Sequence, residues 1–379
     1  MHGDCRWTLQ LQAAKCYNAA VMRTIAIFCC LLAGFLTDGR AACPHAVAAP
    51  VPVSRSPIPK IIFDTDMYTD FDDAGALACL HALADVGECE ILATIANTPG
   101  CMSVAMCEII NSYYGRPDIP VGCARSGGKS GCSEWHVKRY GATVEKYAKW
   151  VKHRNSSDAP DAVETYRRVL AAQPDKSIVV CSVGFLNNLR HLIESPPDVI
   201  SPMDGKALVA KKVRLWVAMA CKYPDGKEYN SATDAEASRI AIGNWPTPVI
   251  FTDWNYGIDC FAGRTLAEAN QKDNPVADVF AGNIPSRDEI RRDSARQLRS
   301  CFGMGGRAAW DETAVLIAVR GTEPYFNINR GTYRMVGKDG ANEWAPDEEN
   351  GPHLRVTERM PKSEVARIID ELMMRKPKY

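Results

Sequence analysis

The stretch IIFDTDMYTDFDDAGAL, residues 61–77, decides the fold prediction because a strand pattern ends there and a helix pattern begins. The apolar, β-branched run at 58–63 is typical of a buried strand, and residues 73–86 have the pattern of a helix. Ligands of open parallel sheets bind beyond the carboxyl ends of the strands. We therefore expect a functional site at the aspartates that follow this strand, which are Asp64, Asp66, Asp70, Asp72 and Asp73.

Strand and helix patterns alternate along the rest of the chain. Further strands are predicted at 90–96, 119–123, 176–183, 213–220 and 247–252, and helices at 102–114, 135–150, 160–172 and 185–194. Continuous apolar strands separated by helices predict an α/β fold with a single doubly wound, mostly parallel sheet flanked by helices. The C-terminal quarter is predicted to extend this domain with strands near 333–337 and 353–357 and helices near 309–319 and 362–375.

The composition is that of an ordinary globular protein. The chain has 379 residues, of which 46% are hydrophobic and 24% are charged. Lys plus Arg and Asp plus Glu both number 45, so the formal net charge is zero. The chain therefore lacks the excess of positive charge that binds phosphodiester backbones or anionic lipid, and nucleic acid is not an expected partner.

The N-terminal segment has the pattern of an export signal. Met22 and Arg23 precede an apolar run at 25–36, which small residues follow. That run is shorter than the roughly 20 residues that a membrane-spanning helix needs, so no stable membrane span is expected. The predicted organisation is a signal peptide at 1–42 with a possible upstream extension, a Pro/Ala-rich linker at 43–59 and one domain at 60–379, in a protein exported to the periplasm or secreted.

Ten of the 15 cysteines lie beyond Cys43, an even number that allows disulfides in an exported protein. The candidate pairs are Cys101/Cys107 and Cys123/Cys132. The alternative is that most of these cysteines are small buried thiols of a large core.

The clustered aspartates repel one another unless a cation neutralises them. A hard divalent ion held by several oxygen ligands at about 2.3–2.6 Å is the simplest way to neutralise their charge, and Ca²⁺ is such an ion. Alternatively, Asp70 or Asp72 caps the following helix and interacts with its dipole. Capping accounts for one or two carboxylates only, so the cluster predicts a calcium site.

Five segments in order resemble the nucleoside hydrolases of the inosine-uridine type. The hallmark of that family is a strand ending in D-T-D, a short turn, and D-D-A opening a helix. It is similar to residues 64–66 and 72–74, although the turn is two residues longer than in the best-known members. The later matches are Asn97 after the second strand, Ser182–Leu189, Glu228–Asn230 followed by Asp234–Ala237, and Trp310–Val315. The common order and spacing make the resemblance more specific than any one match.

The resemblance implies calcium-dependent hydrolysis of the N-glycosidic bond of a nucleoside or related ribosyl compound, giving free base and ribose. Asp66 is the implied catalytic base. The implied metal ligands are Asp66, Asp73, Asp311 and the main-chain carbonyl of Val183. The implied substrate-binding residues are Asp72, Asn97, Glu228, Asn230 and Trp310. Members of the family are often dimers or tetramers, so a homo-oligomer is an open alternative.

Two positions depart from the family. Trp310 stands where several members carry a His that can protonate the departing base, and an indole cannot act as that acid. Three explanations stay open: another donor such as His136, aromatic stacking against Trp310, Trp254 or Tyr256, or a substrate other than an ordinary nucleoside. Residues 221–223, Cys-Lys-Tyr, also replace a region that usually offers an Asn to the sugar.

Two other functions are compatible with parts of the pattern. A haloacid-dehalogenase-like phosphatase also places D-x-D after its first strand, and it would use Asp64 as nucleophile and Asp66 as acid/base. The early Asp72-Asp73 pair and the late Asp311 fit that class poorly. A non-catalytic nucleoside- or ribose-binding protein would retain the metal site without turnover.

Overall fold

The structure, a computed structural model, describes residues 58–128, 134–293 and 301–378. The predicted signal peptide, nearly all of the predicted linker and Cys132 lie outside these residues. The described residues all belong to one compact unit, Arg55–Tyr379. Among them, no helix is long and apolar enough to cross a membrane.

Thirteen strands form two sheets in the part of the chain that the structure describes. They are β1 (Lys60–Thr65), β2 (Glu90–Ala96), β3 (Val121–Cys123), β4 (Ile178–Ser182), β5 (Val213–Ala218), β6 (Asp225–Lys227), β7 (Val249–Phe251), β8 (Phe261–Gly263), β9 (Phe302–Gly303), β10 (Gly306–Ala308), β11 (Phe326–Met335), β12 (Ala341–Pro346) and β13 (His353–Glu358). The ten-stranded sheet has the order β3-β2-β1-β4-β5-β7-β13-β11-β12-β6, and the small one has the order β8-β10-β9.

The predicted α/β fold is confirmed. β1 pairs in parallel with β2 and β4, and the parallel pairing continues through β5 and β7 to β13. Beyond β13 the sheet is antiparallel, since β11 pairs with β13 and β12, and β12 pairs with β6. β1 is central and its last five residues are buried, as its apolar sequence predicts.

The helices run between the strands along the chain. They are α1 (Asp72–Asp85), α2 (Ser103–Tyr113), α3 (Glu134–Lys146), α4 (Ala162–Ala172), α5 (Asn187–Glu194), α6 (Gly205–Lys212), α7 (Tyr229–Thr233), α8 (Ala235–Asn244), α9 (Trp254–Gly257), α10 (Arg264–Glu268), α11 (Pro275–Asn283), α12 (Arg287–Arg292), α13 (Trp310–Arg320) and α14 (Lys362–Met373). The helix predicted at 135–150 is too long, because α3 ends at Lys146 and a separate 3₁₀ turn follows at Ala148–Trp150.

Two apolar clusters of buried residues account for most of the core. One contains residues of α1, α13 and α14, and the other contains residues of α4, α5 and α6, while the central strands contribute to both. α1 is buried along nearly its whole length. It therefore carries no solvated face, and the acidic residues at its start lie inside the protein.

Both proposed disulfide pairs are wrong. Cys107 and Cys123 are buried free thiols. Cys101 is disulfide-bonded, and Cys107 is not its partner. Burial in the apolar core raises the pKa of the Cys123 thiol to about 12. These two residues therefore behave as small hydrophobic side chains, as the alternative interpretation held.

Candidate active site

A cavity of about 250 Å³ lies at the carboxyl edge of the parallel strands. It is lined by seven of the predicted site residues and by residues of the turn that follows β1. Its wall comprises Asp66, Asp70, Asp72, Val183, Met219, Glu228, Tyr229, Asn230, Trp254, Cys301, Arg307, Trp310 and Asp311. A larger groove of about 650 Å³, beside β3 and α4, contains none of the predicted site residues.

Two helix starts bring three buried carboxylates together. Asp72 and Asp73 begin α1, Asp311 lies in the first turn of α13, and one oxygen from each lies within 4.8 Å of the others. The Thr65 hydroxyl donates a hydrogen bond to Oδ1 of Asp73. Oδ2 of Asp73 is buried and has no hydrogen-bond partner among the described residues. Such an orphaned oxygen in an all-oxygen cluster fits a hard divalent cation.

The electrostatics of this cluster indicate the same need for positive charge. Burial, followed by repulsion from neighbouring carboxylates, holds the pKa values of Asp72, Asp73 and Asp311 well above their usual range. A divalent cation would neutralise these charges and satisfy the free oxygen. The chemistry of the donor set is therefore that of a site for a hard divalent cation.

Asp66 lies on the cavity wall directly after β1. The Thr69 hydroxyl donates to Oδ2 of Asp66, and the Thr69 amide donates to its carbonyl at 2.9 Å. Burial, with the charges of Asp70 and Glu228, raises the pKa of Asp66 to about 7. Asp66 is not part of the three-carboxylate cluster, in which Asp72 is the third member instead.

The turn after β4 packs tightly on Asp66. A Cβ atom at Gly184 would lie 2.3 Å from the Asp66 amide nitrogen, so only glycine fits there. The preceding residue, Val183, lines the cavity, and its carbonyl accepts a hydrogen bond from Nδ2 of Asn230 at 3.1 Å. This carbonyl is the one that the family resemblance implies as a metal ligand.

Glu228 and Asn230 form another part of the wall. Glu228 caps α7, because its carboxylate accepts hydrogen bonds from the amides of Asn230 at 2.7 Å and Ser231 at 2.9 Å. It also accepts one from the Cys221 amide at 3.2 Å. Burial raises its pKa. Nδ2 of Asn230 bridges the carbonyls of Val183 and Met219, each at 3.1 Å, so both residues have fixed positions.

Asn97 is not brought to the cavity wall. It is fully buried, and its Nδ2 donates to Asp64 at 2.9 Å. Asp64 also accepts hydrogen bonds from the Tyr166 hydroxyl at 2.9 Å and from Asn188 at 3.0 Å. Its carboxylate is thus surrounded by donors and does not line the cavity. This arrangement does not suit a nucleophile, which the phosphatase hypothesis requires of Asp64.

Trp310 and Arg307 lie next to each other on the cavity wall, where the guanidinium contacts the indole ring. Nε1 of Trp310 donates to the Trp254 carbonyl at 2.9 Å, so the indole is fixed and its N–H is already used. The carbon at the centre of the Arg307 guanidinium lies 4.9 Å from the centre of the Trp310 ring. Arg307 also donates to Asp70, and its Nε lies 3.9 Å from Oδ1 of Asp72.

Sequence reasoning missed Arg307. It lies in β10 of the small sheet, within the unremarkable segment GRA, and no motif includes it. Only charge balance could have pointed to such a residue, because five aspartates around the buried end of a strand need positive charge nearby. His136, the other proposed donor, lies on α3 in a stretch whose side chains the structure does not describe.

Comparisons with known proteins agree with this geometry. The family model "Inosine-uridine preferring nucleoside hydrolase" matches residues 61–371. A search of curated proteins gave no match. The solved structure of an inosine-uridine preferring nucleoside hydrolase from Bacillus anthracis is similar with 14% identity and a TM-score of 0.58, covering 83% of this chain and 99% of that one.

Two further solved structures show the same fold. A purine-preferring ribonucleoside hydrolase from Gardnerella vaginalis has 15% identity and a TM-score of 0.58, covering 83% of this chain and 96% of that one. The type III effector protein XopQ, solved in complex with adenosine diphosphate ribose, has 15% identity and a TM-score of 0.58, covering 84% of this chain and 93% of that one.

Proposed function

The chain belongs to the inosine-uridine preferring nucleoside hydrolase family, whose enzymes act on N-glycosyl compounds, and we propose that it hydrolyses a nucleoside or related ribosyl compound with calcium as its cofactor. The products are the free base and ribose. One observation carries the proposal: a cavity at the strand ends whose buried wall contains carboxylates on two helix starts, with an orphaned carboxylate oxygen beside it.

Asp72, Asp73 and Asp311 form the core of the proposed metal site, and Asp66 and the Val183 carbonyl lie on or beside the same wall. When bound, calcium supplies positive charge that acidifies a water molecule and favours the paired hydroxyls of a ribose. These residues offer only oxygen atoms, which favours calcium over softer metals.

Asp66 acts as the general base in this proposal. It takes a proton from the water that attacks the anomeric carbon. Asp72 accepts a hydrogen bond from a ribose hydroxyl, and Glu228 and Asn230 orient the sugar from their own part of the wall. Because the departing base is planar and apolar on its faces, it packs against Trp310.

A substrate panel tests the proposal. Chelator-treated protein is assayed for reducing-sugar release from ribosides and deoxyribosides. ADP-ribose, which the XopQ structure contains, is assayed for release of free adenine, because its terminal ribose is already a reducing sugar. We expect release of sugar and free base from at least one riboside after calcium is added, and none in chelator. Asp73→Asn should abolish this release. Asp370→Asn is the matched control, because Asp370 is an acidic residue on α14 that does not line the cavity.

The alternative outcome is equally clear. If calcium binds and ribosides bind but no panel member yields free base, the protein is a non-catalytic binding protein. Hydrolysis of phosphate esters with magnesium, in place of N-glycosides, would favour the phosphatase hypothesis instead.

We also propose that residues 1–42 direct export and are removed. The charged start, short apolar run and small-residue exit support this proposal. N-terminal sequencing of the mature protein after expression in its own host tests it, with a start near residue 43 expected. A mature chain that retains residues 22–42 would contradict it.

A further inference from the structure

Arg307 is a buried cation on the wall of the proposed active site. Its residue is 8% exposed, and among the described residues that line the cavity it is the only one with a permanent positive charge. Nε of Arg307 is buried and has no hydrogen-bond partner among the described residues, although it lies 3.9 Å from Oδ1 of Asp72 in an ion pair. A buried guanidinium N–H without a partner is costly, so its retention beside a cavity calls for an explanation.

Aromatic rings hold the guanidinium in place. Its central carbon lies 5.5 Å from the centre of the Phe71 ring, 5.3 Å from that of Phe302 and 4.9 Å from that of Trp310. The ion pair between Asp70 and Nη2 of Arg307 fixes one end of the guanidinium group. The guanidinium is therefore oriented before any ligand binds, which is the requirement for electrostatic stabilisation of a transition state.

The departing base needs a hydrogen-bond donor, and two of the donors on the cavity wall are already used. The indole N–H of Trp310 is used by the Trp254 carbonyl, and Nδ2 of Asn230 is used by two carbonyls. Because Trp310 adjoins Asp311 of the carboxylate cluster, a ribose held there directs its base toward Trp310 and Arg307. Arg307 is the permanent cation that the described wall offers to a base in this position.

We propose that Arg307 is a catalytic residue that donates a hydrogen bond to the departing base and stabilises its negative charge. This inference rests on the proposed N-glycoside hydrolysis. The bond between the anomeric carbon and the base nitrogen breaks, and its electron pair moves to the base. Water oxygen bonds to the anomeric carbon while Asp66 takes a water proton. Arg307 stays protonated, and the released base takes a proton from solvent.

Substrates with different leaving groups test this role. Inosine has a base that leaves poorly without a donor, whereas p-nitrophenyl β-D-ribofuranoside releases a stabilised phenolate that needs none. Arg307→Gln should lower kcat/KM for inosine by about 100-fold or more, the usual effect of removing one such donor. The same variant should lower kcat/KM for the nitrophenyl riboside by less than about tenfold. Arg307→Lys keeps the charge and should give an intermediate ratio.

Arg264→Gln is the matched control. Arg264 is also buried, at 5% exposed, and donates to the carbonyls of Met304 at 2.8 Å and Pro285 at 3.0 Å, but it does not line the cavity. This variant should keep the wild-type ratio of the two kcat/KM values. Circular dichroism and calcium titration establish that each variant is folded and retains its metal site.

Four outcomes distinguish the possibilities. A selective loss of inosine hydrolysis supports the role of Arg307. An equal loss for both substrates, in folded protein that binds calcium, overturns it and leaves Arg307 as a residue that only positions Asp70 and Asp72. If Arg307→Gln does not fold, Arg307→Lys decides by the same ratio. If the wild type does not cleave inosine, the nucleoside of the panel that it cleaves best replaces inosine, and wild-type protein that cleaves no riboside of the panel overturns the proposed hydrolysis itself.

Discussion

Replacing Asp66 with asparagine should stabilise the metal-free protein at neutral pH. Burial raises the pKa of Asp66 from 3.8 to about 7 in the folded protein. The folded state therefore binds this proton more tightly than the unfolded state, and the free energy of unfolding of the metal-free wild type falls as pH rises from about 4 to about 7. Asparagine resembles the protonated form of Asp66 and can still accept the hydrogen bond from Thr69. The free energy of unfolding of the variant therefore does not fall in this way as pH rises.

The expected size follows from the pKa difference. A pKa difference of about 3, at about 1.36 kcal/mol for each unit, corresponds to roughly 4 kcal/mol at pH 7.5 and almost nothing near pH 4. His81 and His353 have the opposite effect, because burial lowers their pKa values to about 3 and about 4. Both histidines are present in the wild type and the variant, so their contributions cancel in the difference between the two proteins.

Urea unfolding of chelator-treated protein at pH 4.5 and pH 7.5 measures this difference. We expect Asp66→Asn to gain stability relative to the wild type between the two pH values. Added calcium at pH 7.5 should then stabilise the wild type more than the variant, since a ligand that binds only the folded state stabilises it. A variant that is equally destabilised at both pH values, or that gains as much from calcium as the wild type, would refute the reasoning.

Three other substitutions test separate parts of the site. Gly184→Ala places a Cβ 2.3 Å from the Asp66 amide nitrogen, so turnover should fall by about 100-fold or more, as measured by riboside hydrolysis. Thr65→Val removes the hydroxyl that donates to Asp73, and calorimetry should show calcium affinity lower by about 10-fold or more. Asn342→Ala breaks hydrogen bonds to the Lys222 amide at 3.0 Å and carbonyl at 2.7 Å. It should cost about 1–3 kcal/mol in urea unfolding and raise KM more than it lowers kcat, because Lys222 adjoins the loop of Glu228.

The strand-to-helix unit at 60–85 could be predicted because its local patterns and its tertiary role agree. The apolar run of β1 suits a central strand, and the aspartates after it suit the carboxyl edge where parallel strands end together. The same rule brings Val183, after β4, to that edge. Asp311 could be placed there only by its resemblance to a family motif, because nothing in the local pattern of α13 shows which strand it faces.

The C-terminal antiparallel strands were harder to predict. Residues 327–330 of β11 are exposed, so they lack the alternating apolar pattern that marks a strand, and the prediction began at 333. β12 was missed, although its Asn342 supports the loop before Glu228. The small sheet with Arg307 consists of strands of two or three residues, which are too short for any periodicity to appear.

Asn97 illustrates what a motif leaves undetermined, which is the direction of the side chain. The family resemblance implies that it contacts a sugar, which stays a prediction, and the structure shows that its amide nitrogen donates to Asp64 inside the protein. The direction in which a side chain points depends on its neighbours in space. Here one neighbour is Gly184: a Cβ atom on that residue would lie only 2.5 Å from Nδ2 of Asn97, so the glycine leaves room for the Asn97 amide. A sequence pattern does not contain that information.

Titration calorimetry of calcium into chelator-treated protein tests the central claim most directly. The account predicts one calcium ion per chain, released protons on binding because the carboxylates must ionise, and loss of this binding in Asp73→Asn. Protein that is folded yet gives no heat with calcium at neutral pH would contradict the account.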